Sequence, residues 1–598
     1  MYRNRKVVDN MQVKHLSDLL GITPELAMIL LKRNTKENID INEMRDYLYS
    51  YSISNAPFPH VDEAVALLNR HILAGCKIAI INDYDVDGIT SGYIASEMLR
   101  FLGVSTMIIT SDRIHGGYSI SKDLIDRAKE FDASLIITTD NGITAFEPIA
   151  YAKELGLEVL VTDHHDPVIE NDMQKLPDAD VIVEPWLSDC EYSFREICGA
   201  FVIFKVAQSL LSEENLMRLN RYDLIPYKDT LIGGFVELAG LATIMDVMPL
   251  KGENRALVRS ALRRINEGSY FVGIRQLAAK LNIELGKITS NRISFGIGPC
   301  FNAESRMTGK ITTCLRLLET RDNNEAEKLA AELVRVNELR KAEVERLCQE
   351  YVHYEDYEEQ SFIFQYIPNA LHTLCGIISG RITEETGKPS IVVTDNSKGL
   401  LTGSGRSVEI FDIIRTLRKY PQFFDKLGGH PMACGMSFTK EQYEALVQTL
   451  SNDLKGLTFP EREQLVDLFI NPCYVRNAFL DELVLLEPYG ENNDQPVLMA
   501  TNCTLFQMQP LGKNGEYRKL RLLDNQGKMF DAVLFSNISK VEDILISSFG
   551  KECLSELGKG RGNYHVDFVY EPNYRTWNGV TSIQFLMRDL QKAEAYLR

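Results

Sequence analysis

The stretch "KIAIINDYDVDGITSGYIASEMLRFLG" (77–103) joins an apolar run to an amphipathic segment through a group of acids. After Lys77, the rest of the run 77–81 is apolar and rich in β-branched side chains, as in a buried strand, and residues 91–103 carry apolar side chains at helical spacing. Amphipathic stretches also separate the similar runs "SLIITT" (134–139), "LEVLVT" (157–162) and "DVIVE" (180–184). This alternation predicts a doubly wound parallel sheet.

The length of 598 residues predicts three or four domains in a multidomain α/β protein. The expected parts are an N-terminal helical region (1–75), the parallel-sheet domain (76–265), a helical connector (266–355), a smaller α/β domain (356–458) and a C-terminal β-barrel (464–598). The connector ends in a helical pattern over 323–354. Strands of the smaller domain are expected near 361–366, 374–378, 390–394 and 400–403.

Composition excludes several classes of protein. With 45% hydrophobic and 25% charged residues the chain is typical of soluble globular proteins, and no run of about eighteen apolar residues lacks charge, so no membrane span is expected. Eleven scattered cysteines without a C-x-x-C pair favour a reducing cytoplasm over zinc ribbons or disulfides. The net charge of −18 means that any contact with nucleic acid needs local basic patches or bound metal.

Acidic side chains recur where the expected strands end. They form four clusters: Asp83, Asp85 and Asp87; Asp140; Asp163 with His164 and His165; and Asp246 inside an apolar run. Ligands of open α/β sheets bind outside the carboxyl ends of the strands, so the clusters are expected to face one crevice. Each cluster alone also fits an ordinary turn. Together they favour a metal site, because so many carboxylates repel one another without a cation.

The types of side chain indicate which metal. Carboxylates outnumber imidazoles and no thiol takes part, which favours Mn²⁺ or Mg²⁺ over zinc. Two such ions stabilise the attacking and leaving oxygens of a phosphoryl displacement and lower the pKa of a water molecule between them. The sequence contains no nucleophile elbow, P-loop or dinucleotide fingerprint that would suggest a different chemistry.

The motifs also carry a family resemblance. "DYDVDG", "TTDNG", "TDHH" and "ATIMDVMPL", in this order, resemble the four motifs of the DHH phosphoesterase superfamily. Further matches are "FGIGPCFNAESRM" (295–307), "GSGRS" (403–407), "GGHPMACGMSF" (428–438) and "LLEPYGENNDQPVL" (485–498). The ordered set resembles the single-stranded-DNA-specific exonucleases of that superfamily. The resemblance implies a DHH domain, a long connecting helix, a DHHA1 domain and an OB-fold barrel.

The resemblance implies a role for individual residues. The expected metal ligands are Asp83, Asp85, Asp140, His164 and Asp246. The expected catalytic residues are His165, which would lie close to the scissile phosphate, Asp163 and Asp87. The expected phosphate-binding residues are Arg113, Arg306, Ser404, Arg406, Gly428, Gly429 and His430. Without the resemblance, each arginine would fit a surface ion pair and His430 a hydrogen-bonded turn.

The sequence departs from the family pattern at a few positions. Asn82 replaces the frequent glycine before the first aspartate, Asn141 replaces a cysteine, and Glu184 replaces an asparagine before proline. Glu304 and Ser305 stand where relatives have alanine and glycine. No departure removes an expected ligand, but the last pair places a larger and more acidic group beside the expected phosphate site.

The C-terminal barrel is the expected site of DNA binding. Basic and aromatic residues alternate in "GKNGEYRKLRLL" (512–523) and "YRTWNG" (574–579). The candidates are Lys513, Tyr517, Arg518, Lys519, Arg521, Arg575 and Trp577. Such a surface suits a single strand, whose bases stack while its phosphates are neutralised. A solvated strand face with aromatic residues in the core is the alternative.

The expected function is a two-metal exonuclease that hydrolyses phosphodiester bonds in single-stranded DNA with two Mn²⁺ or Mg²⁺ ions. The resemblance alone implies 5′→3′ polarity, a role in DNA repair and recombination, and a single-strand-binding protein and a helicase as partners. The chain is expected to be monomeric. Two alternatives remain: a DHH phosphodiesterase for short oligonucleotides or cyclic dinucleotides, which usually lacks the barrel, and a catalytically silent DNA-binding scaffold, which would not need the intact ligands.

Overall fold

The computed structural model describes residues 2–36, 40–54, 58–114, 120–396, 399–460, 463–577 and 579–593. Within these ranges, no helix combines the length and the apolar character that crossing a bilayer requires. The chain forms two compact units. The barrel unit comprises Met1–Ser50, Arg462–Tyr489 and Asp494–Arg598, and the catalytic unit comprises Tyr51–Glu461 and Gly490–Asn493.

The α-helices are given in chain order: α1 (Asn10–Leu20), α2 (Pro24–Arg33), α3 (Ile41–Tyr49), α4 (Val61–Leu73), α5 (Val86–Phe101), α6 (Lys122–Glu130), α7 (Phe146–Glu154), α8 (Gly199–Leu210), α9 (Glu213–Arg218), α10 (Lys228–Met245), α11 (Gly252–Gly268), α12 (Val272–Lys280), α13 (Ser290–Arg292), α14 (Gly298–Thr308), α15 (Thr312–Glu319), α16 (Asn323–Tyr351), α17 (His372–Thr386), α18 (Ile413–Leu417), α19 (Tyr443–Asp453), α20 (Asn477–Leu483), α21 (Ile538–Phe549) and α22 (Cys553–Gly558).

The strands are β1 (Tyr2–Asn4), β2 (Lys77–Asn82), β3 (Thr106–Thr110), β4 (Ala133–Thr139), β5 (Glu158–Thr162), β6 (Val168–Glu170), β7 (Met173–Lys175), β8 (Val181–Val183), β9 (Ile363–Tyr366), β10 (Ser390–Asp395), β11 (Leu400–Arg406), β12 (Lys426–His430), β13 (Ala433–Thr439), β14 (Gln464–Val466), β15 (Leu468–Phe469), β16 (Leu498–Leu511), β17 (Tyr517–Leu523), β18 (Met529–Leu534), β19 (Tyr564–Trp577) and β20 (Val580–Lys592).

The first sheet of the catalytic unit has the order β3-β2-β4-β5-β8, and all its strands are parallel. Its two faces belong to different cores: Ile80 packs with side chains of α5, α8 and α10, while the next residue, Ile81, packs with side chains of α6 and α7. A parallel strand covered on both faces needs an apolar side chain at nearly every position. The doubly wound sheet predicted from the apolar runs is therefore confirmed.

The second sheet of the catalytic unit is mixed, with the order β12-β13-β11-β10-β9. The 29-residue helix α16 precedes it, as the helical pattern over 323–354 predicted. The strand predicted near 374–378 is wrong, because this segment lies inside α17. Its apolar run is short, and Leu374, Ile378 and Ile382 recur every four residues, which places them on one buried helical face.

The barrel unit contains five strands that close in the order β16-β17-β18-β20-β19, with β19 pairing back to β16. This closure confirms the predicted C-terminal barrel. Apolar side chains of α1 and α2, such as Leu16 and Leu26, share one core with barrel residues such as Leu498 and Phe568. The first three helices thus belong to the barrel unit, whereas α4 belongs to the catalytic unit. The boundaries predicted for individual domains stay predictions.

Candidate active site

The carboxyl ends of the parallel strands are level with one another. Asn82 at the end of β2 pairs with Thr139 of β4, Thr139 pairs with Thr162 of β5, and Thr162 pairs with Val183 of β8. The residues that follow, Asp83, Asp140, Asp163 and Glu184, therefore start from neighbouring points of one sheet edge. This register is the reason that acids far apart in sequence meet in space.

Seven side chains at this edge form three overlapping groups, and within each group the candidate ligand atoms all lie within 4.8 Å of one another. The groups are Asp83 with Asp85 and Asp140; Asp140 with His164 and His165; and Asp87 with His164 and Asp246. All five predicted metal ligands are thus brought together. His164 is central to the arrangement, because its Nε2 lies 3.1 Å from Asp140 Oδ1 and 3.7 Å from Asp246 Oδ2.

The electrostatics of this cluster suit a divalent cation. Burial, followed by the charge of Asp85, raises the pKa of Asp83 to about 7, and burial and neighbouring acids also raise the pKa of Asp140 and Asp246. Burial lowers the pKa of His164 to about 3, so its imidazole is neutral and able to bind metal. Asp246 Oδ2 is buried, and within the described part of the chain it has no hydrogen-bond partner. An oxygen-rich set with imidazole and an unsatisfied carboxylate oxygen fits Mn²⁺ or Mg²⁺.

Asp87, predicted as a catalytic residue, also has a structural role. Its two carboxylate oxygens accept hydrogen bonds of 2.7 Å from the backbone N–H groups of Gly199 and Ala200 in the first turn of α8. A Cβ at Gly199 would lie 2.7 Å from Asp140 Cβ, so only glycine lets α8 approach the cluster so closely. Asp87 therefore holds α8 against the site, and its catalytic role stays a prediction.

Asp163 and His165 form a hydrogen-bonded pair beside the predicted metal ligands. Asp163 Oδ1 lies 2.7 Å from His165 Nδ1 and accepts the backbone N–H of His164 at 2.8 Å, while Oδ2 accepts the N–H of Ile143 at 2.9 Å. Burial opposes the charged imidazole, but the charge and hydrogen bond of Asp163 raise the pKa of His165 to about 10. His165 therefore supplies a positive charge at the cluster at neutral pH.

The three predicted phosphate-binding arginines meet a short distance from the acids. Burial, followed by the charges of Arg113, Arg340 and Arg406, lowers the pKa of Arg306 to about 9. Their described hydrogen bonds go to neutral oxygens: Ser305 Oγ for Arg113, Thr373 O for Arg306, and Gly405 O for Arg406. Mutually repelling guanidinium groups that hydrogen-bond only to neutral oxygens favour an anion.

Ser404 and Gly376 complete the surroundings of Arg406. A Cβ at Gly376, in the first turns of α17, would lie 2.8 Å from an Arg406 Nη atom and 3.3 Å from Ser404 Oγ. The helix can thus approach these two predicted phosphate-binding residues only with glycine at this position. The arrangement places a hydroxyl and a guanidinium side by side, as a phosphate group requires.

Arg340 is a member of the arginine group that the sequence analysis missed. It lies on α16, where Arg335, Lys341 and Arg346 each have a glutamate three residues earlier as an ion partner. Arg340 instead has Asn337 at that spacing and donates to its Oδ1 at 3.1 Å. The missing glutamate was a signal in the sequence that this cation serves another purpose than a helix-surface ion pair.

The glycine-rich segment of the second sheet lies exposed on β12. Gly428, Gly429 and His430 pair with Gly435, Cys434 and Ala433 of β13. Among the influences that lower the pKa of His164, burial is the largest, and the charge of His430 is a smaller one. His430 is therefore close enough to the acidic cluster to affect its electrostatics, whereas direct contacts of Gly428 and Gly429 with phosphate stay predictions.

Two of the departures from the family pattern, Asn82 and Glu304, have structural explanations. Asn82 accepts from Thr110 Oγ1 at 2.6 Å and donates to the carbonyl of Gly88 at 2.9 Å, which ties β2 to β3 and α5. Glu304 accepts the backbone N–H groups of Thr313 and Cys314 and so caps α15. Its negative charge is therefore neutralised by a helix N-terminus rather than by the arginines of the predicted phosphate site.

The basic residues predicted on the barrel are largely paired with acids. Asp531 contacts Lys519 Nζ at 2.7 Å and Arg521 Nε at 3.3 Å, and Glu542 contacts Arg518 at 2.9 Å. The ring of Tyr517 packs edge-on against Phe535. Lys513 and Arg575 are exposed, and the side chain of Trp577 lies outside the described part of the chain. The net positive charge of this surface is thus smaller than the sequence suggested.

Comparisons with known proteins agree with this architecture. Family models match at 77–228 (DHH family, N-terminal domain), 359–456 (DHHA1 domain) and 466–589 (RecJ OB domain). The single-stranded-DNA-specific exonuclease RecJ of Salmonella typhimurium is 31% identical over 557 residues, covering 89% of this chain and 90% of that protein. The RecJ of Bacillus subtilis is 28% identical over 98% of this chain and 70% of that protein.

The solved structures give the same relationship. The crystal structure of RecJ from Thermus thermophilus in complex with Mn²⁺ matches with a TM-score of 0.80 and 26% identity, covering 99% of this chain and 80% of that one. The Mg²⁺ complex of the same protein matches with a TM-score of 0.74. With the parallel-sheet domain, the DHHA1 domain and the barrel all matched in order, the chain belongs to the RecJ family of single-stranded-DNA-specific exonucleases.

Proposed function

We propose that this protein is a metal-dependent exonuclease that hydrolyses single-stranded DNA with 5′→3′ polarity, in DNA repair and recombination. The observation that carries the proposal is the convergence of seven carboxylate and imidazole side chains at one sheet edge, with a group of arginines in the same unit. The RecJ proteins that the chain resembles are named for this activity, and the polarity rests on the family resemblance.

The proposed metal ligands are Asp83, Asp85, Asp140, His164 and Asp246. Two Mn²⁺ or Mg²⁺ ions bound there would supply activation of water and stabilisation of negative charge at the reacting phosphate. The chain's own side chains perform the other functions. Asp163 fixes the ring of His165 and keeps it protonated, so that the imidazolium stabilises charge that develops on the phosphate.

Arg113, Arg306, Ser404 and Arg406 are proposed to bind a substrate phosphate and thereby set which phosphodiester bond reaches the acids. The Gly-Gly-His segment at 428–430 would complete this site. The barrel would hold the more distant part of the strand through Lys513, Tyr517, Arg518, Lys519, Arg521, Arg575 and Trp577. The predicted domains, 76–265, 356–458 and 464–598, would thus contribute metal binding, phosphate binding and strand binding.

Partners and location belong to the same proposal. A single-strand-binding protein and a helicase would supply the substrate, because each creates or covers single strands. We propose a monomer in the cytoplasm, and the eleven free cysteines of the chain support a reducing compartment.

The test is digestion with Mn²⁺ of a long single strand, the corresponding duplex and a dinucleotide. The proposal expects processive loss of the single strand and little loss of the duplex. Cleavage of the dinucleotide alone would favour the short-substrate phosphodiesterase. Binding of the strand without any cleavage would favour the silent scaffold.

A further inference from the structure

Tyr84 lies between Asp83 and Asp85 in sequence, and its ring contacts an arginine of the phosphate site. The guanidinium carbon of Arg113 lies 4.3 Å from the centroid of the Tyr84 ring. A guanidinium over an aromatic face is attracted by the electron-rich face, most strongly when both groups are shielded from water. Both side chains are partly buried. Tyr84, a residue of the acidic motif, is thus in direct contact with Arg113.

Arg113 makes two further contacts. One is with Ser305 in α14, and the other is with Gly309, which directly follows that helix. Arg113 Nη1 donates to Ser305 Oγ at 3.0 Å, and its backbone N–H donates to the carbonyl of Gly309 at 3.2 Å. The hydroxyl of the fully buried Ser305 donates in turn to the carbonyl of Asn302. Its proton is therefore directed away from Arg113, and its lone pair is free to accept from the guanidinium.

These contacts orient the Arg113 side chain without neutralising it. The ring face and the hydroxyl hold the guanidinium and the Gly309 carbonyl holds the backbone, and none of the three carries a formal charge that would compete with a substrate anion. A long side chain that is fixed before the substrate arrives loses less rotamer freedom on binding. An arginine held in this way suits a site in which the distance to a second group must be constant.

We infer that Tyr84 and Ser305 are positioning residues that fix Arg113 relative to Asp83 and Asp85. A phosphate bound by Arg113 is thereby placed at a set distance from the residues that would hold metal. This inference rests on the proposed phosphate-binding role of Arg113. It adds a reason for the aromatic residue between two acids, and it gives the serine at position 305 a function in substrate binding.

The test uses KM and kcat of the full chain on an end-labelled single-stranded oligonucleotide with Mn²⁺. Tyr84→Leu is expected to raise KM about tenfold while kcat changes less than about threefold, because the ring face is lost and the acids remain. Tyr84→Phe keeps the ring and is expected to stay within about twofold of wild type. Ser305→Ala is expected to raise KM about threefold. The dependence of melting temperature on Mn²⁺ should be the same in all three variants.

A matched control removes a similar contact elsewhere in the catalytic unit. The guanidinium carbon of Arg259 lies 4.4 Å from the ring centroid of Tyr51. Tyr51→Leu deletes this pair and is expected to leave KM unchanged. A general loss of stability caused by removing a stacked tyrosine would affect both variants alike.

A double-mutant cycle with Arg113→Ala tests whether Tyr84 and Ser305 act through Arg113. Arg113→Ala alone should raise KM, and in that background Tyr84→Leu and Ser305→Ala should raise it no further. An equal effect of Tyr84→Leu with and without Arg113, or weaker Mn²⁺ binding, would overturn the inference.

If Arg113→Ala raises KM and neither other variant does, the inference fails while the phosphate-binding role stands. If Arg113→Ala leaves KM unchanged, that role itself is wrong. Should Tyr84→Leu not fold, Ser305→Ala completes the cycle.

Discussion

At the scale of single residues, the site brings together carboxylates that repel one another when no cation is bound. Asp83 and Asp140 at a sheet edge and Asp246 at the end of α10 are pressed together, and burial and mutual repulsion raise the pKa of each. A divalent cation relieves this repulsion and satisfies the unpartnered oxygen of Asp246. Metal binding should therefore stabilise the fold as well as enable the chemistry.

Asp140 gives the sharpest residue-scale prediction about metal, because it belongs to two of the three ligand groups. Asp140→Ala should abolish hydrolysis and remove most of the rise in melting temperature that Mn²⁺ gives the wild type. Binding of a long strand to the barrel should persist. The exposed Asp178→Ala is the control. Cleavage by Asp140→Ala at near wild-type rate would contradict the metal assignment.

The Asp163–His165 pair gives a prediction about protonation. Burial lowers the pKa of His165 and Asp163 raises it, with a net value of about 10, so the ring stays charged up to that pH. In Asp163→Asn the largest raising cause is removed while the charges of Asp246 and Asp83 remain, so the imidazolium should lose its proton at a pH well below about 10. Histidine NMR titration of the metal-free protein measures this shift.

The control for that titration is Asp166→Asn, since Asp166 is exposed and adjacent to His165 in sequence. The titration of the His165 imidazole in Asp166→Asn should match that in the wild type. A pKa of His165 that is unaltered in Asp163→Asn would mean that the carboxylate does not hold the proton on the ring.

Substitution of Arg406 tests the proposed phosphate-binding site. Charge-assisted bonds to an anion contribute about 1.5–3 kcal/mol, so Arg406→Ala should lower kcat/KM by about one to two orders of magnitude. Arg418→Ala, an exposed cation in the same domain, should have no such effect. Unchanged kinetics with only a lower melting temperature would show that Arg406 has a structural role.

The residues differ in how far sequence alone could assign them. Asp83, Asp140 and Asp163 followed from their position after apolar runs, since strand register brings such positions together, whereas Asp246 lies at the end of the helix α10 and not of a strand. Tyr84 was missed because its role depends on Arg113, which is distant in sequence, and Arg340 was missed although the absence of a glutamate three residues earlier distinguished it from the neighbouring cations of α16. Glu304 looked like a disturbance of the phosphate site, and only the structure shows that its carboxylate caps α15.

At the scale of elements, long periodic segments were predictable and short ones were not. The helix α16 extends over 29 residues, and its pattern identified it. Residues 374–378, which lie in α17, were predicted to form a strand, because a short apolar run fits both a strand and a helix. The partner of α1 to α3 could not be predicted either, since the barrel strands whose core they share begin more than four hundred residues later.

This arrangement affects how the barrel can be tested. Removing residues 464–598 would expose the apolar sides of α1 and α2, which share the barrel core. Substitutions in the full chain are therefore the better test. Asp531 neutralises both Lys519 and Arg521, so Asp531→Asn should release two cations for DNA.

Asp531→Asn should therefore bind a long single strand more tightly and with a steeper dependence on salt. Each phosphate neutralised on a single strand changes the slope of log K against log salt by about −0.7, so three or four contacts predict a wild-type slope of roughly −2 to −3. One or two released cations should steepen that slope by about 0.7 to 1.4. Asp543→Asn, an exposed acid on α21, removes the same charge as a control. Equal slopes for the two variants would remove this face of the barrel from the DNA site.

At the scale of the whole molecule, an acidic chain is proposed to act on an acidic polymer. The net charge of −18 makes general attraction to DNA weak, so binding must come from the arginine group, the barrel and bound metal. Such a protein should select single strands by stacking and by access to a phosphate near the acids, rather than by overall charge.

The most direct test of this account follows the two ends of one DNA strand. A single strand labelled at its 5′ end, the same strand labelled at its 3′ end, and both in duplex form are incubated with the protein and Mn²⁺. The account predicts immediate release of the 5′ label from the single strand as a very short product, gradual shortening of the 3′-labelled strand, and little change in the duplex. Release of the 3′ label first would contradict the polarity, and stable single strands with intact labels would contradict the exonuclease itself.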